Sequence, residues 1–127
     1  QAATDGIASM LTFSAAQMTD IARARRQRFI ESVARWMDDE FPDGGWQGAD
    51  GLAQLQRWAE QAWAWGIQAD ELVRCHLYAS VVLGDGYVQA DPEVEGVLAS
   101  TELTDELKLA WLTGLLDALR NASAPEA

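Results

Sequence analysis

Apolar side chains recur every three or four residues through most of this chain, and glycine and proline interrupt the rhythm. Met18, Ile21, Phe29, Val33, Trp36 and Met37 form one stripe, with the spacing that keeps residues on one side of a helix. Ser14 stands as N-cap with Gln17 as its capping-box partner, and Phe13 and Met18 occupy hydrophobic-staple positions. The helix is expected to end near Phe41-Pro42, since proline disfavours helix in the residue before it. That is about 27 residues, or roughly 40 Å.

The glycines of "PDGGWQGADG" predict a loop. A second helix is expected from about Asp50 to Trp65, with Gly66 as its C-terminal stop. Leu52, Leu55, Ala59, Ala62 and Trp63 share its inner face, which Trp58 and Trp65 widen, and both tryptophans are expected in the core. A third helix, about Ala69 to Leu83, opens on Asp70 and Glu71, which suit the positive end of the helix dipole. Leu72, Val73, Leu77, Tyr78, Val81, Val82 and Leu83 surround it almost completely, the mark of a central helix. "GDGYVQADP" is expected to be a loop. Asp91-Pro92 caps a short helix to about Ala99, and Thr104 with Asp105 and Glu106 starts a last helix ending near Arg120. The fold class is therefore all-α, a compact bundle of four main helices plus one short helix. One domain is expected over residues 10–121. Residues 1–9 read as an expression remnant or loose extension before a natural start at Met10, and residues 122–127 as a flexible tail.

Charge narrows the partners. The net charge is -11. Residues 1–49 carry 5 basic and 7 acidic side chains, whereas residues 50–127 carry 4 and 13. Between Asp85 and Glu106 there are seven acids, among them Asp91, Glu93 and Glu95, and no Lys or Arg. Such a surface repels phosphate backbones and anionic lipid, so neither nucleic acid nor membrane is expected as a partner. A basic or neutral protein is. Acidity that merely keeps a tryptophan-rich domain soluble is the plainer alternative. No apolar run approaches the roughly 20 residues of a membrane span, and a single cysteine fits a reducing compartment.

The candidate chemistry is thin. Cys75 and His76 are adjacent, so on a helix their side chains diverge by about 100° and do not face each other. His76 shares a sector with Leu72, Ala79 and Leu83 and is expected inside, hydrogen-bonded to a neighbour. A zinc site wants about four ligands, and the chain has one cysteine and one histidine. "DDEFPDGGWQGADG" places proline and glycine where a calcium loop needs side-chain oxygens. No cofactor is expected, and nothing in the sequence supports an enzyme.

Features that suit binding stand out more. Arg23, Arg25, Arg26 and Arg28 hold four of the nine basic residues. Arg25 falls within the apolar stripe between Ile21 and Phe29. A guanidinium there pairs with an internal acid, snorkels, or meets a partner. Trp46, in its glycine-rich loop, is the tryptophan expected to be exposed as an interface anchor. The last helix is expected to bury Leu107, Trp111, Leu115 and Ala118, with Leu112 and Leu119 beside them. Leu109 and Leu116 then lie nearly opposite, as an exposed apolar strip or as ordinary surface leucines.

From "RRQRFIESVARWMDDEFP" through "WGIQADELVRCHLYASVVLGDGYVQADPEVEGVL", the chain resembles small helical proteins encoded beside toxin genes of bacterial type VI secretion systems. The shared features are Arg25, Arg26 and Phe29, then Phe41-Pro42, Trp65-Gly66-Ile67, Leu83-Gly84, Tyr87 and Asp91-Pro92. The pattern covers about two-thirds of the chain by packing and turn residues, which specify fold better than role. "EVEGVL" stands where the group has a tryptophan in the short helix. The resemblance implies a cytoplasmic accessory protein that helps load or stabilise a toxic effector as co-chaperone with an adaptor. Whether the domain self-associates is left open by the sequence. An immunity protein that neutralises a basic toxin is the alternative, and a cysteine-dependent enzyme a third.

Overall fold

The computed structural model describes residues 15–123. The proposed cap at Ser14, Phe13, the start at Met10 and the extension 1–9 lie outside those residues. Within the described residues six α-helices follow one another: α1 (Ala15–Glu40), α2 (Ala49–Ala64), α3 (Asp70–Leu83), α4 (Tyr87–Ala90), α5 (Pro92–Leu98) and α6 (Asp105–Ser123). A 3-10 turn, Pro42–Gly44, separates α1 from α2. No strand occurs among the described residues, and the fold is an all-α bundle of four main helices, one short helix and one single-turn helix. The stretch read as loop after Leu83 holds an extra helical turn, α4, which buries Tyr87 and Val88. Helix α6 also runs past Arg120 into the segment expected to be tail.

Helix α3 is the hub, packing against α2, α6 and α1. Leu72, Val73, His76, Leu77, Ala79 and Ser80 are all buried and fill nearly half of its circumference, while Cys75, Tyr78, Val81 and Leu83 are half-buried, so the expected near-complete enclosure is only partial. Val82 escapes, at the edge of the bundle. Helix α2 presents Leu55, Trp58, Ala59 and Ala62 to the core. The second half of α1 adds Ile30, Val33, Ala34 and Met37. Gly66 at φ +82 takes the left-handed backbone that ends α2, and the Ile67 N–H returns to the Ala62 carbonyl at 3.2 Å. Asp91 caps α5, its carboxylate accepting the Glu93 N–H at 2.9 Å, while Pro92 occupies the first turn.

The phase of α6 differs from the expected one. Lys108, Leu112 and Leu116 form the buried face, Leu109, Trp111 and Leu115 flank it, and Leu107 and Leu119 are exposed. A lysine, Lys108, lies inside the buried stripe. Its stem is buried, and its Nζ donates to the Leu98 carbonyl at 2.9 Å, where a cation meets the negative end of α5.

Trp46 is buried, not exposed as its loop position suggested. The loop folds back because the Asp38 carboxylate accepts the Trp46 N–H at 3.2 Å and also takes the Gln47 side-chain amide. The indole then tilts against Trp58, with centroids 6.3 Å apart. Gly51, on α2, lets the loop pass. A Cβ there would sit 2.4 Å from the Gly45 carbonyl and 2.6 Å from the Trp46 Cα.

Two glycine-to-alanine changes should therefore have opposite signs. Gly51→Ala is expected to destabilise the fold by about 2 kcal/mol, since backbone crowding outweighs helix propensity. Gly114→Ala, with open space at its Cβ within α6, should stabilise by up to about 1 kcal/mol. Urea midpoints at constant slope measure both.

Candidate protein-binding surface

Every residue from Ala15 to Arg28 is exposed, although α1 continues unbroken. Helix formers such as Ala, Met, Gln and Arg hold this half together locally. The Thr19 hydroxyl bonds the Ala15 carbonyl at 2.9 Å, and Arg23 lies 3.7 Å from Asp20, a surface pair of small energetic weight. The cause of exposure is length. Helix α1 has 26 residues and α2 has 16, about 39 Å against 24 Å at 1.5 Å per residue. Packing on the core begins at Phe29 and Ile30, and the earlier turns form an arm. Met18 and Ile21 thus face solvent, and Arg25 lies in no buried stripe.

At the arm's root is a groove of about 390 Å³ lined by Ala22, Arg25, Arg26, Phe29, Trp63, Ile67, Gln68 and Asp70. Its floor is aromatic: Phe29 and Trp63 meet at 6.4 Å, and the Arg26 guanidinium lies over the Trp63 ring at 4.4 Å. That cation–π contact holds Arg26 over the ring. No carboxylate among the described residues lies within ion-pair reach of Arg25 or Arg26. Together they offer one held and one free guanidinium over an apolar floor, chemistry suited to a carboxylate or backbone carbonyl beside an apolar side chain.

The other expected site residues scatter. Leu116 is buried and Leu109 half-buried, so they form no exposed strip. Trp46 belongs to the core. Asp91 is occupied as a cap, while Glu93 and Glu95 are exposed on α5. Elsewhere in the acidic segment, Asp85 accepts the Trp58 indole N–H at 2.9 Å, and Asp105 accepts the N–H groups of Gln68 and Ala69, each at 2.9 Å. Several of these acids therefore hold the fold together. Helical spacing puts Trp63 on the inner face of α2 and Met18 and Ile21 in the stripe of α1, yet Trp63 is half-buried and the two arm residues are exposed.

His76 is core. Its Nδ1 meets the Tyr87 hydroxyl at 2.8 Å, its Nε2 meets the Gln61 carbonyl oxygen at 3.2 Å, and the Trp65 ring stands edge-on at 5.2 Å. With Gln61 accepting, Nε2 carries the proton and Tyr87 donates to Nδ1. Burial lowers the His76 pKa to about 4, partly offset by a hydrogen bond with the Trp58 backbone. Burial likewise pushes the Tyr87 hydroxyl up. Cys75 lines a different groove, with Leu109 and Thr113 among its neighbours. Burial raises its pKa against the Thr113 hydrogen bond, which keeps the thiol protonated and weakly nucleophilic. The described residues contain no group of three or more His, Cys, Asp or Glu placed to hold a metal, and no helix among them is long and apolar enough to cross a membrane.

Set against protein-family models, curated proteins and solved structures, the chain matches none of them.

The buried imidazole sets a pH dependence with a definite sign. Between pH 6.5 and about 4 the unfolded chain binds the His76 proton and the native state does not, so stability falls as pH falls. The shift corresponds to about 3 kcal/mol, fully present above pH 6.5. Relative to His76→Gln, the native chain should lose this increment between pH 6.5 and 4 in urea titrations. A pH-independent difference would remove the neutral buried imidazole.

Proposed function

We propose that this protein is a non-enzymatic binding module, a cytoplasmic accessory that helps stabilise or load a type VI secretion effector, working as co-chaperone with an adaptor. One observation carries the reading: the cationic, aromatic-floored groove formed by Arg25, Arg26, Phe29 and Trp63. A fixed guanidinium over tryptophan beside a second, free arginine suits an effector or adaptor segment that offers acidic or carbonyl groups and an apolar anchor. The type VI assignment rests on the sequence resemblance, which includes Arg25, Arg26 and Phe29 among its residues.

Immunity is the second reading. It draws on Glu93 and Glu95, which are exposed and lie outside the internal bonds that engage Asp85, Asp91 and Asp105. Free carboxylates of this kind steer a basic toxin toward its inhibitor.

The tagged chain should copurify from its native cells with an effector and its adaptor, and the effector's toxic activity should persist in the complex. Arg25→Glu should weaken that complex about tenfold or more, as expected when a pocket contact reverses charge. Inhibition at one-to-one stoichiometry would replace this reading with immunity, with association slowed at low salt by Glu93→Lys and Glu95→Lys and unaffected by Arg25→Glu.

A further inference from the structure

Two exposed apolar pairs on this chain carry opposite charge around them. Met18 and Ile21, 56% and 44% exposed, share the arm with Arg23, Arg25, Arg26 and Arg28. Four arginines and Asp20 give residues 15–28 a net charge of +3. Leu103 and Leu107, 38% and 56% exposed, alternate with Glu102 and Glu106, both also exposed. These glutamates end the stretch from Asp85 to Glu106 that contains seven acids and no Lys or Arg.

The acidic patch lies near the arm's root. Asp105, between Glu102 and Leu107 in sequence, bonds the N–H of Gln68, and Gln68 lines the groove at the arm's root. Helix α1 is continuous from the arm into the core, so the arm has no hinge on which to fold back along its own chain.

We propose that the protein forms a two-fold dimer in which each arm lies across the other copy's Leu103–Leu107 patch, with arginines meeting Glu102 and Glu106. The exchange is reciprocal, so the assembly closes at two. Pairing of arm with arm would instead set +3 against +3. The remainder of the chain carries -14, from -11 less the arm's +3, which disfavours an anionic membrane or nucleic acid as the occupant. Fourteen helical residues give a contact about 21 Å long. Two such contacts bury on the order of 1,000 Å², the lower limit for a specific interface. The dimer is therefore weak and salt-sensitive. It does not rest on the effector reading, and its failure would leave the groove available to an effector.

Sedimentation equilibrium on the full chain tests it. At about 20 mM salt the mass should rise with concentration from 13.9 kDa toward twice that, and about 0.5 M salt should return it to monomer as screening shortens the charge interaction. Arg23→Glu/Arg25→Glu and Glu102→Arg/Glu106→Arg should each stay monomeric, with unchanged circular dichroism. Mixed one to one, they should dimerise, because every arm then meets a patch of opposite charge. A wild-type chain that stays monomeric at about 1 mM and low salt would overturn the proposal. So would a mass insensitive to salt, or a mixture of the two variants that fails to pair.

Discussion

Enclosing α3 is the constraint from which the rest of the architecture follows. Its buried residues fill nearly half of the helix circumference, with Cys75, Tyr78 and Val81 half-buried beyond them, so no single neighbour removes them all from water. Helices α2, α6 and the second half of α1 each cover a sector. Enclosure also brings in His76, whose two nitrogens need partners once water is excluded. Gln61 comes from α2 and Tyr87 from α4. The histidine thus ties three elements together by polar bonds inside an otherwise apolar core, and the small helix α4 acquires a fixed position through it.

The same enclosure leaves α1 only partly used. Cover is needed over the length of the core, and α1 is longer than that by several turns. Its excess stays helical through local propensity and remains in water. A scaffold thereby carries a helical cationic arm whose root is fastened by Phe29, Trp63 and Arg26. Rigidity matters for recognition, because a group already held in position loses little entropy when a partner arrives.

Charge is divided along similar lines. Carboxylates at Asp38, Asp85, Asp91 and Asp105 bind N–H groups of the chain itself, fastening the tryptophan loop, the indole of Trp58, the start of α5 and the turn before α3. Glu93, Glu95, Glu102 and Glu106 remain exposed. The acidic composition accordingly has two physical roles, and only the second reaches the surroundings. Most of the positive charge on α1 stands apart on the arm, so the molecule is strongly dipolar as well as acidic.

Much of the secondary structure was legible in the chain because its causes are local. Pro42, Gly66 and Asp91-Pro92 act on backbone groups within a few residues, and periodic apolar spacing acts within one helix. The core half of α1, the inner face of α2 and the interior place of His76 follow from such signals. The surface was less legible. Whether Met18 is covered depends on the length of α2, and whether Trp46 is buried depends on a bond to Asp38 eight positions earlier. The face that α6 turns inward depends on a lysine reaching the end of α5. Sequence alone determined the all-α class and, nearly to the residue, most of the helix boundaries, since propensity, caps and breakers operate at short range. Tertiary structure decided which sides of those helices meet water and brought Arg26 onto Trp63, because burial depends on what packs opposite, and that is settled between segments far apart in the chain.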